Sequence, residues 1–310
     1  MSLQGIEHVT VLVNPAAANG NGRIEWLRLQ PHFEEIFIGK HIDVIETESR
    51  EHTTLLGETT STQLLIMFSG DGAISDITQG LMRRSLDARP PLAVIPLGSG
   101  NDFAKALGVP MNPYLAISRL LRGQRSIIDI GRVNDRYFLN TLSFGVDAVI
   151  ADRTTELRKS TRRRGFLLYA EAAVSSIIKD LKAHTYRMTI DNNYLERDLL
   201  ICAIQNGPFY GGGFKVAPRA LLDDGLFNIC LATEANIPTA LYVMTRIANG
   251  THENLKMIET HKASKITLDF YSPIVAQSDG EKINGRLTEN NDWHFDVELI
   301  PQALEVISMR

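Results

Sequence analysis

The chain has 310 residues, a net charge of −4 and two cysteines. A chain of this length is expected to form roughly two domains. The negative net charge does not favour a nucleic acid as partner. Cys202 and Cys230 lie singly in apolar runs, so neither a disulfide framework nor metal-ligand spacing is present and a reducing cytosol is favoured. No signal-peptide pattern and no apolar run of about 18 residues is visible, so we expect only peripheral contact with lipid.

The first half of the chain alternates short apolar runs with helical patterns. Runs of strand length lie at 8–13, 42–46, 63–68, 91–96 and 127–131. Several such strand–helix units in succession predict a parallel sheet with helices on both faces. In such a sheet, ligands bind beyond the carboxyl ends of the strands.

Three loops of small residues follow these predicted strands. They are 14–22, 69–73 and 97–102. A strand, a glycine turn and a helix in succession direct backbone N–H groups and a helix N-terminus at a phosphate. Each loop alone is equally well explained as a turn or a surface loop, but three in register predict one nucleotide site. None of them contains a P-loop or the G-x-G-x-x-G pattern of dinucleotide sites.

Acidic residues accompany these loops. Asp71 lies inside the second loop, Asp102 is the last residue of the third, and Asp129 interrupts an apolar strand. A carboxylate beside a phosphate requires a divalent cation between them, because two anions repel each other. The alternatives are a Gly-Asp-Gly turn that closes a strand–helix unit and, for Asp129, a residue at a strand end or edge.

The second half has a different pattern, with a boundary near 125–130. Apolar residues alternate with polar ones, which is typical of antiparallel sheets and predicts a barrel or a sandwich. The predicted strands are 136–144, 185–190, 194–205, 226–232 and 265–270, and the predicted helices lie near 165–180 and 238–248.

Several segments of this half have both a structural and a functional explanation. The basic run 153–164 is either a solvated face or an attachment site for an anionic membrane. The loop 206–215 contains Gly211, Gly212 and Gly213, which predicts close approach to another group. The turn 223–225 is either closed by a side-chain cap or binds a cation. The segment 278–281 is either a hairpin turn or a source of a carboxylate for an acceptor hydroxyl.

Taken in order, these stretches resemble the diacylglycerol kinase catalytic-domain family of lipid kinases, which also includes sphingosine and ceramide kinases. The residues that carry the resemblance are Asn14-Pro15, Ser69 to Gly72, Pro96 to Phe103, Asp129, Asn206 to Pro208, Gly211 to Gly213, Pro218 to Gly225, and Asp279 to Glu281. The resemblance implies an N-terminal α/β nucleotide domain similar to phosphofructokinases, with a parallel sheet, over 1–128. It also implies a C-terminal antiparallel β-sandwich over 129–287 that binds lipid, and a return of 288–310 to the first domain.

The same resemblance implies the residues of the site. ATP contacts are expected at Asn14, Pro15, Ala16, Ala17, Ala18, Thr47, Gly70, Asp71, Gly72, Ala73, Ile74, Ser75, Asp76 and Ser99. Asp71, Asp102 and Asp129 match a magnesium–water network. Asp224, with the backbone carbonyls of Leu221 and Leu226, matches a structural magnesium site. Glu281 matches the proton acceptor with Asp279 beside it, so the expected catalytic residues are Glu281, Asp279 and Asp71.

The chain departs from the family pattern at four positions. Ala73 lacks the usual threonine hydroxyl that could contact phosphate, and Ser69 replaces a glycine. Ser99 replaces a threonine but keeps the hydroxyl, and Asp76 replaces a glutamate with a shorter carboxylate.

The function expected from the resemblance is transfer of a phosphoryl group from ATP, with Mg²⁺, to a lipid hydroxyl. Diacylglycerol is the leading acceptor, and the enzyme is expected in the cytoplasm, held to an anionic membrane by 153–164. The sequence does not decide whether the protein is a monomer or a homodimer. The alternatives are an enzyme similar to NAD kinases and a non-catalytic regulator that binds lipid or nucleotide.

Overall fold

The computed structural model describes residues 5–160 and 165–310, and it gives only the backbone for 158–160. Arg162, Arg163 and Arg164 of the predicted membrane-binding run therefore lie outside the described residues. The chain divides into two compact units. One comprises the described residues up to Asp129 together with Pro301–Arg310, and the other comprises Ile130–Ile300.

The elements up to the division alternate between strands and helices, as the sequence predicts. The strands are β1 (His8–Val13), β2 (His41–Glu46), β3 (Leu64–Ser69), β4 (Leu92–Pro96) and β5 (Gln124–Val133). The helices are α1 (Ala17–Gly20), α2 (Gly22–Ile36), α3 (Arg50–Thr59), α4 (Asp71–Met82), α5 (Asp102–Ala106) and α6 (Pro113–Leu120), with a 3₁₀ turn at Leu86–Ala88.

The elements after the division are mostly strands. These strands are β6 (Arg136–Phe138), β7 (Thr141–Gly145), β8 (His184–Ile190), β9 (Asn193–Gln205), β10 (Phe227–Thr233), β11 (Ile258–Ala263), β12 (Lys265–Phe270), β13 (Ala276–Ser278), β14 (Glu281–Ile283), β15 (Arg286–Leu287) and β16 (Trp293–Ser308). The helices are α7 (Val146–Ser160), α8 (Gly165–Asp180) and α9 (Ile237–Asn249).

The first unit contains the predicted parallel sheet. Its strand order is β2-β1-β3-β4, and Val306 of β16 pairs in parallel with Leu92 of β4. Every residue of β3 and β4 is buried. This burial explains why both sequences are continuous apolar runs rather than alternating ones, since helices cover both faces of a parallel sheet.

Helix α2 contacts the sheet through one of its faces. On this helix Ile24 is 62% and Leu27 57% exposed. The buried face consists of Trp26, Leu29 and Phe33. The ring of Trp26 packs edge-on against Phe68 of β3, with ring centroids 4.8 Å apart, and this aromatic contact fixes the rotation of the helix.

The second unit is the predicted antiparallel sandwich. Strand β9 pairs with β8 along its first half and with β7 and β10 along its second half. The predicted strand 136–144 is two strands, because the chain turns between Phe138 and Thr141. One apolar core lies among the strands, and a second includes buried side chains from α7, α8 and α9.

Helix α7 was not predicted, because part of it lies in the basic run. Its Arg153 pairs with Asp180 of α8 at 2.9 Å and donates to Ser176 Oγ at 3.1 Å. The side chain of Arg153 therefore joins two helices. This contact corrects the expectation that Arg153 is available to an anionic membrane.

The boundaries of the two units in the structure differ from those predicted from the sequence, one slightly and the other by more than ten residues. The first division lies after Asp129 rather than after residue 128. The return lies at Pro301 rather than near 288, because the first half of β16 pairs antiparallel with β12 in the second unit. The long strand β16 thus belongs to both units.

Glycines permit the close packing of α3 against α4. A Cβ on Gly80 would collide with the backbone carbonyl of Thr54, and one on Gly57 would collide with that of Ile77. We expect Gly80→Ala to lower the free energy of unfolding by about 1–3 kcal/mol, since this contact cannot widen without moving a helix. Chemical denaturation measures the change.

The matched control is Gly72→Ala in the first turn of the same helix. A Cβ at Gly72 meets no atom within 4 Å. We expect Gly72→Ala to leave the free energy of unfolding unchanged or to raise it, because alanine favours helix more than glycine does. Equal losses in the two variants would contradict the packing explanation.

Candidate active site

The three glycine-containing loops of the first unit meet, as the sequence predicts. The N–H of Ala18 donates to the Leu97 carbonyl at 2.9 Å, which joins the first loop to the third. The side-chain amide of Asn14 donates to Ser69 Oγ at 3.0 Å, which joins the first loop to the second. A Cβ on Gly70 would lie 2.8 Å from the Cα of Gly98, so the second and third loops touch through their backbones.

The first loop is tightly folded. Asn14 Oδ1 accepts from the N–H of Ala16 at 3.0 Å, and the Cα of Gly22 lies close to the Asn14 carbonyl. Ala18 and Asn19 adopt positive φ angles of 50° and 59°. Ala17 is buried, while Pro15, Ala16 and Ala18 keep some exposure. Thr47 follows β2 and donates its N–H to the Val13 carbonyl at 2.9 Å, beside this loop.

The second loop leads directly into helix α4. Gly70 is the residue before the helix and is extended, and no side chain caps the helix end. Oδ1 of Asp71 accepts from the Phe103 N–H at 3.1 Å, so Asp71 braces the third loop. Gly72 is exposed, Ala73 is partly exposed, and Ile74 and Ser75 are buried. The uncapped helix end therefore faces open space at Gly72 with its N–H groups, which suits a phosphate.

Asn101 stabilises the third loop, a role that the sequence did not assign. Its Oδ1 accepts from the Gly98 N–H at 2.9 Å, and its Nδ2 donates to the Gly98 carbonyl at 2.7 Å. Asn101 adopts a positive φ of 54°, a conformation that asparagine tolerates better than most residues. This bracing leaves the side chain of Ser99 exposed at the tip of the loop.

The acidic residues of the first unit are engaged in different contacts. Asp76 accepts from Arg50 through both oxygens, with Nη2–Oδ1 at 3.1 Å and Nε–Oδ2 at 3.2 Å. Asp102 pairs with Lys105 at 3.0 Å. The buried Asp129 accepts from the Gln302 N–H at 2.8 Å.

Three acidic residues were expected to share a magnesium–water network. Among the described residues, Asp71, Asp102 and Asp129 do not form a group whose oxygens all lie within 4.8 Å of one another. The three carboxylates therefore do not form a site in which all of them bind one ion directly. An ion held by one of them, with water molecules between it and the others, fits this arrangement.

In the second unit, Asp279 lies in a tight hairpin turn and Glu281 directly follows that turn. Asp279 and Gly280 have positive φ angles of 48° and 85°, and Ser278 pairs with Glu281 across the turn. This is the conformation that an Asp-Gly pair favours in two-residue hairpins. The segment is therefore a hairpin, and Glu281 lies partly exposed at the start of β14, so its role as proton acceptor stays a prediction.

Asp279 holds the hairpin in place. Its carboxylate accepts from three successive backbone N–H groups, of Leu139 at 2.6 Å and of Asn140 and Thr141 at 3.0 Å each. Burial raises the pKa of Asp279, while the three N–H groups and the charge of Arg136 oppose that rise. Both oxygens of Asp279 are therefore engaged by the backbone before β7, and its catalytic role stays a prediction.

The predicted structural magnesium site contains a lysine. Oδ2 of Asp224 lies 2.9 Å from Nζ of Lys262, and Oδ1 accepts from the Leu226 N–H at 3.3 Å. An ammonium group and a divalent cation compete for the same carboxylate, so this arrangement does not fit an added ion. The metal role of Leu221, Asp224 and Leu226 stays a prediction that the donor set does not favour.

A buried carboxylate that the sequence interpretation missed lies in the second unit. Asp147, in the first turn of α7, accepts from the hydroxyls of Tyr169 at 2.6 Å and of Tyr210 in a short contact. Burial raises the pKa of Asp147 above its usual range, against hydrogen bonds from Ser143, Tyr169 and Gln277. An acidic residue inside an otherwise apolar run, Phe144 to Ile150, was the available signal.

Asp147 lies at the edge of a small apolar cavity of about 60 Å³. Helices α7, α8 and α9 and strands β9 and β10 line it. Its apolar lining includes Val146, Ile150, Ala173, Ala240, Val243 and Met244. A carboxylate and tyrosine hydroxyls beside an otherwise apolar cavity suit an amphipathic ligand.

The glycine-rich loop contacts α8, as its composition predicts. A Cβ on Gly212 would lie 2.8 Å from the backbone nitrogen of Phe166, and one on Gly211 would lie 3.0 Å from the Tyr169 ring. Both glycines have positive φ angles. The loop therefore holds Tyr210 and Tyr169 together near Asp147.

The three N–H groups around Asp279 give a stability prediction. We expect Asp279→Ala to lower the free energy of unfolding by about 2–4 kcal/mol, because it leaves several buried donors without a partner. The control is Asp191→Ala. Asp191 has a similar φ of 49° and also accepts from two backbone N–H groups, but it is exposed. A loss from Asp191→Ala as large as that from Asp279→Ala, in denaturant titrations, would contradict this assignment.

Two family domains match the chain in succession. The diacylglycerol kinase catalytic domain matches residues 8–133. The YegS C-terminal NAD kinase beta sandwich-like domain matches residues 140–308. Together they span both units, and the second one agrees with the antiparallel sandwich described above.

Individual relatives agree with these matches. A diacylglycerol kinase of Staphylococcus epidermidis (strain RP62A) is 30% identical over 73% of this chain and 70% of its own length. A diacylglycerol kinase of Staphylococcus aureus (strain JH9) is 28% identical over 76% and 73%. A Bacillus anthracis structure described as a candidate diacylglycerol kinase is similar in fold, with a TM-score of 0.81, 23% identity and 98% of each chain covered. The chain therefore belongs to the diacylglycerol kinase catalytic-domain family and is a lipid kinase.

Proposed function

We propose that this lipid kinase transfers the γ-phosphoryl group of ATP, with Mg²⁺, to the hydroxyl of diacylglycerol. The observation that carries the proposal is the junction of the three loops in the first unit, with Gly70 against Gly98 and an uncapped helix end at Gly72. That unit is part of the stretch matched by the diacylglycerol kinase catalytic domain.

The phosphates of ATP bind to backbone N–H groups rather than to a P-loop lysine. The first turn of α4 supplies N–H groups and the positive end of the helix dipole. Ser99 supplies a hydroxyl from the tip of the third loop. Asn14 and Thr47, at the carboxyl ends of their strands, lie where a sheet of this kind binds its nucleotide.

Asp71 is the residue we propose to hold Mg²⁺, with Asp102 and Asp129 reached through water. A bound Mg²⁺ supplies positive charge against the oxygens of the transferred group. Asp71 has a second task, since its contact with the Phe103 N–H keeps the loops together. Loss of this carboxylate therefore affects both the ion and the geometry of the loops.

Glu281 accepts the proton from the lipid hydroxyl as the new P–O bond forms and ADP leaves. It lies at the start of β14, directly after a turn that Asp279 fixes through three backbone N–H groups. A general base must hold its position relative to the acceptor, and a rigid two-residue hairpin provides that. The proposal therefore assigns Asp279 a positioning role.

The apolar cavity beside Asp147 supports a lipid as the acceptor. Its lining is apolar, and Asp147, Tyr169 and Tyr210 lie beside it as possible partners of a polar head. Each buried CH₂ group contributes about 0.8 kcal/mol to binding. A dinucleotide would leave most of this apolar surface without a complementary partner.

We also propose that the protein contacts the membrane surface. The proposal is based on helix α8 together with the basic run 153–164. Leu167, Val174 and Ile178 are exposed at helical spacing, while Leu168 and Tyr169 of the same helix are buried. An exposed apolar stripe of this kind can enter the interfacial region of a bilayer. None of the helices in the described part of the chain has the length and hydropathy needed to cross a bilayer.

Phosphorylation of NAD is the second candidate, favoured by the description of the matched C-terminal domain as NAD kinase beta sandwich-like. Purified protein with Mg²⁺ and radiolabelled ATP, offered either dispersed diacylglycerol or NAD, separates the two. We expect label in phosphatidic acid and none in NAD. Label in NAD alone, or in neither, would overturn the proposal.

The role of Glu281 is tested with Glu281→Gln. The amide cannot accept the proton, so we expect kcat to fall by at least about 100-fold while the affinity for ATP is unchanged. Glu289→Gln, at an exposed position a few residues further on, is the control and keeps full activity. A Glu281→Gln enzyme with normal kcat removes Glu281 as the proton acceptor.

The role of the cavity is tested with Ala240→Phe, which narrows it from α9. We expect KM for long-chain diacylglycerol to rise at least about tenfold, with a smaller rise for a short-chain analogue and none for ATP. Thr245→Phe places the same ring on the exposed side of α9 as a control. Equal effects of Ala240→Phe on short and long chains would exclude the cavity as the chain-binding site.

A further inference from the structure

Two histidines and an aspartate meet at the amino ends of β1 and β2. In the parallel register of these strands, His8 lies opposite His41, and Thr10 lies opposite Asp43. His41 and Asp43 are two residues apart and so project from the same face of β2. The pairing of adjacent strands therefore places His8, His41 and Asp43 on one face.

Their polar atoms are close enough to share an ion. Nε2 of His8 lies 2.7 Å from Oδ2 of Asp43, and Nε2 of His41 lies 3.4 Å from Oδ1. One ligand atom from each of the three residues lies within 4.8 Å of the others. Tetrahedral zinc with bonds of about 2.0 Å places its ligands about 3.3 Å apart, so only small side-chain movements are needed.

The backbone at His8 is already fixed. Oε1 of Gln63 accepts from the N–H groups of Glu7 at 2.6 Å and of His8 at 3.0 Å. Lys40, the basic residue just before β2, pairs with Glu7 at 3.2 Å. The side chains of His8, Asp43 and His41 are 33%, 48% and 70% exposed, so an ion can reach them from solvent.

We propose that His8, His41 and Asp43 bind one divalent transition-metal ion of the zinc class. Two imidazoles and one carboxylate, with water in the fourth position, form a donor set that zinc accepts. Imidazole ligands favour zinc, cobalt, nickel and copper over magnesium, which prefers oxygen. The site is therefore distinct in chemistry from the Mg²⁺ expected with ATP.

The site is also distinct in position. It lies at the amino ends of β1 and β2, whereas the glycine loops follow the carboxyl ends of β1, β3 and β4. Strand β2 is an edge strand of this sheet. An ion bound here clamps the edge strand to its neighbour and stabilises the folded first unit, because the unfolded chain does not hold the three ligands together.

The test uses the full chain without an affinity tag, stripped of metal with a chelator. Isothermal titration with Zn²⁺ is expected to show one site with a Kd below about 10 μM, and Mg²⁺ is expected to show no binding there. Co²⁺ in place of Zn²⁺ is expected to give the visible absorption bands of a tetrahedral ion. Zn²⁺ is also expected to raise the midpoint of thermal unfolding.

Three variants assign the site. His41→Ala and Asp43→Asn are each expected to weaken Zn²⁺ binding at least tenfold and to abolish the thermal shift. Neither lies in the kinase machinery, so both are expected to keep lipid kinase activity. The matched control is His294→Ala, which breaks a His–Asp pair of 2.8 Å with Asp269 that is not part of a three-ligand group among the described residues.

The possible results of these experiments either support the proposed metal site or overturn it. Zn²⁺ binding weaker than about 100 μM in the unaltered chain overturns the proposal. So does tight binding that His41→Ala and Asp43→Asn leave unchanged, or that His294→Ala weakens equally. Far-ultraviolet circular dichroism of the metal-free variants confirms that they fold, so a loss of binding reports on the ligands.

Discussion

The first unit depends on one backbone contact, between Gly70 and Gly98. A methyl group on either residue would collide with the Cα of the other, so only glycine at both positions lets β3 and β4 end in touching loops. Asp71 then reaches the Phe103 N–H, and Asn101 braces Gly98 through two hydrogen bonds. These glycine, aspartate and asparagine residues therefore determine the geometry of the loops. Binding of a phosphate would depend on that geometry.

The second unit uses a different device, in which environment separates two neighbouring carboxylates. Asp279 and Glu281 are two residues apart and both are partly exposed, yet Asp279 accepts from three N–H donors while Glu281 begins a strand. The positive φ angles at Asp279 and Gly280 point the two side chains to different surroundings. One carboxylate thus fixes the turn from which the other projects.

Much of this could be predicted because the signals were local. Continuous apolar runs predicted β3 and β4, and glycine turns after strands predicted loops that meet at one edge of the sheet. The face of α2 could not be predicted, because the contact of Trp26 with Phe68 decides the rotation rather than the spacing of Ile24 and Leu27.

Pairings between residues distant in the chain were equally invisible in the sequence. Nothing near Asp224 indicates that Lys262 is its partner, and nothing near Arg153 indicates Asp180. The cluster of His8, His41 and Asp43 requires the register of two strands whose first residues are 33 positions apart, which the sequence alone does not give. Asp147 became noticeable only when the apolar cavity beside it was known.

The discontinuity of the first unit has a consequence for synthesis on the ribosome. Its strand β4 pairs with Val306, Arg89 donates to the Ala303 carbonyl, and the Leu107 carbonyl accepts from the Met309 N–H at 2.8 Å. These partners are translated after the entire second unit, so the second unit can complete its fold first although it comes later in the sequence. Until residues 301–310 emerge, the nascent first unit carries an unpaired β4 edge. Such an edge can pair with another chain and aggregate unless a chaperone binds it.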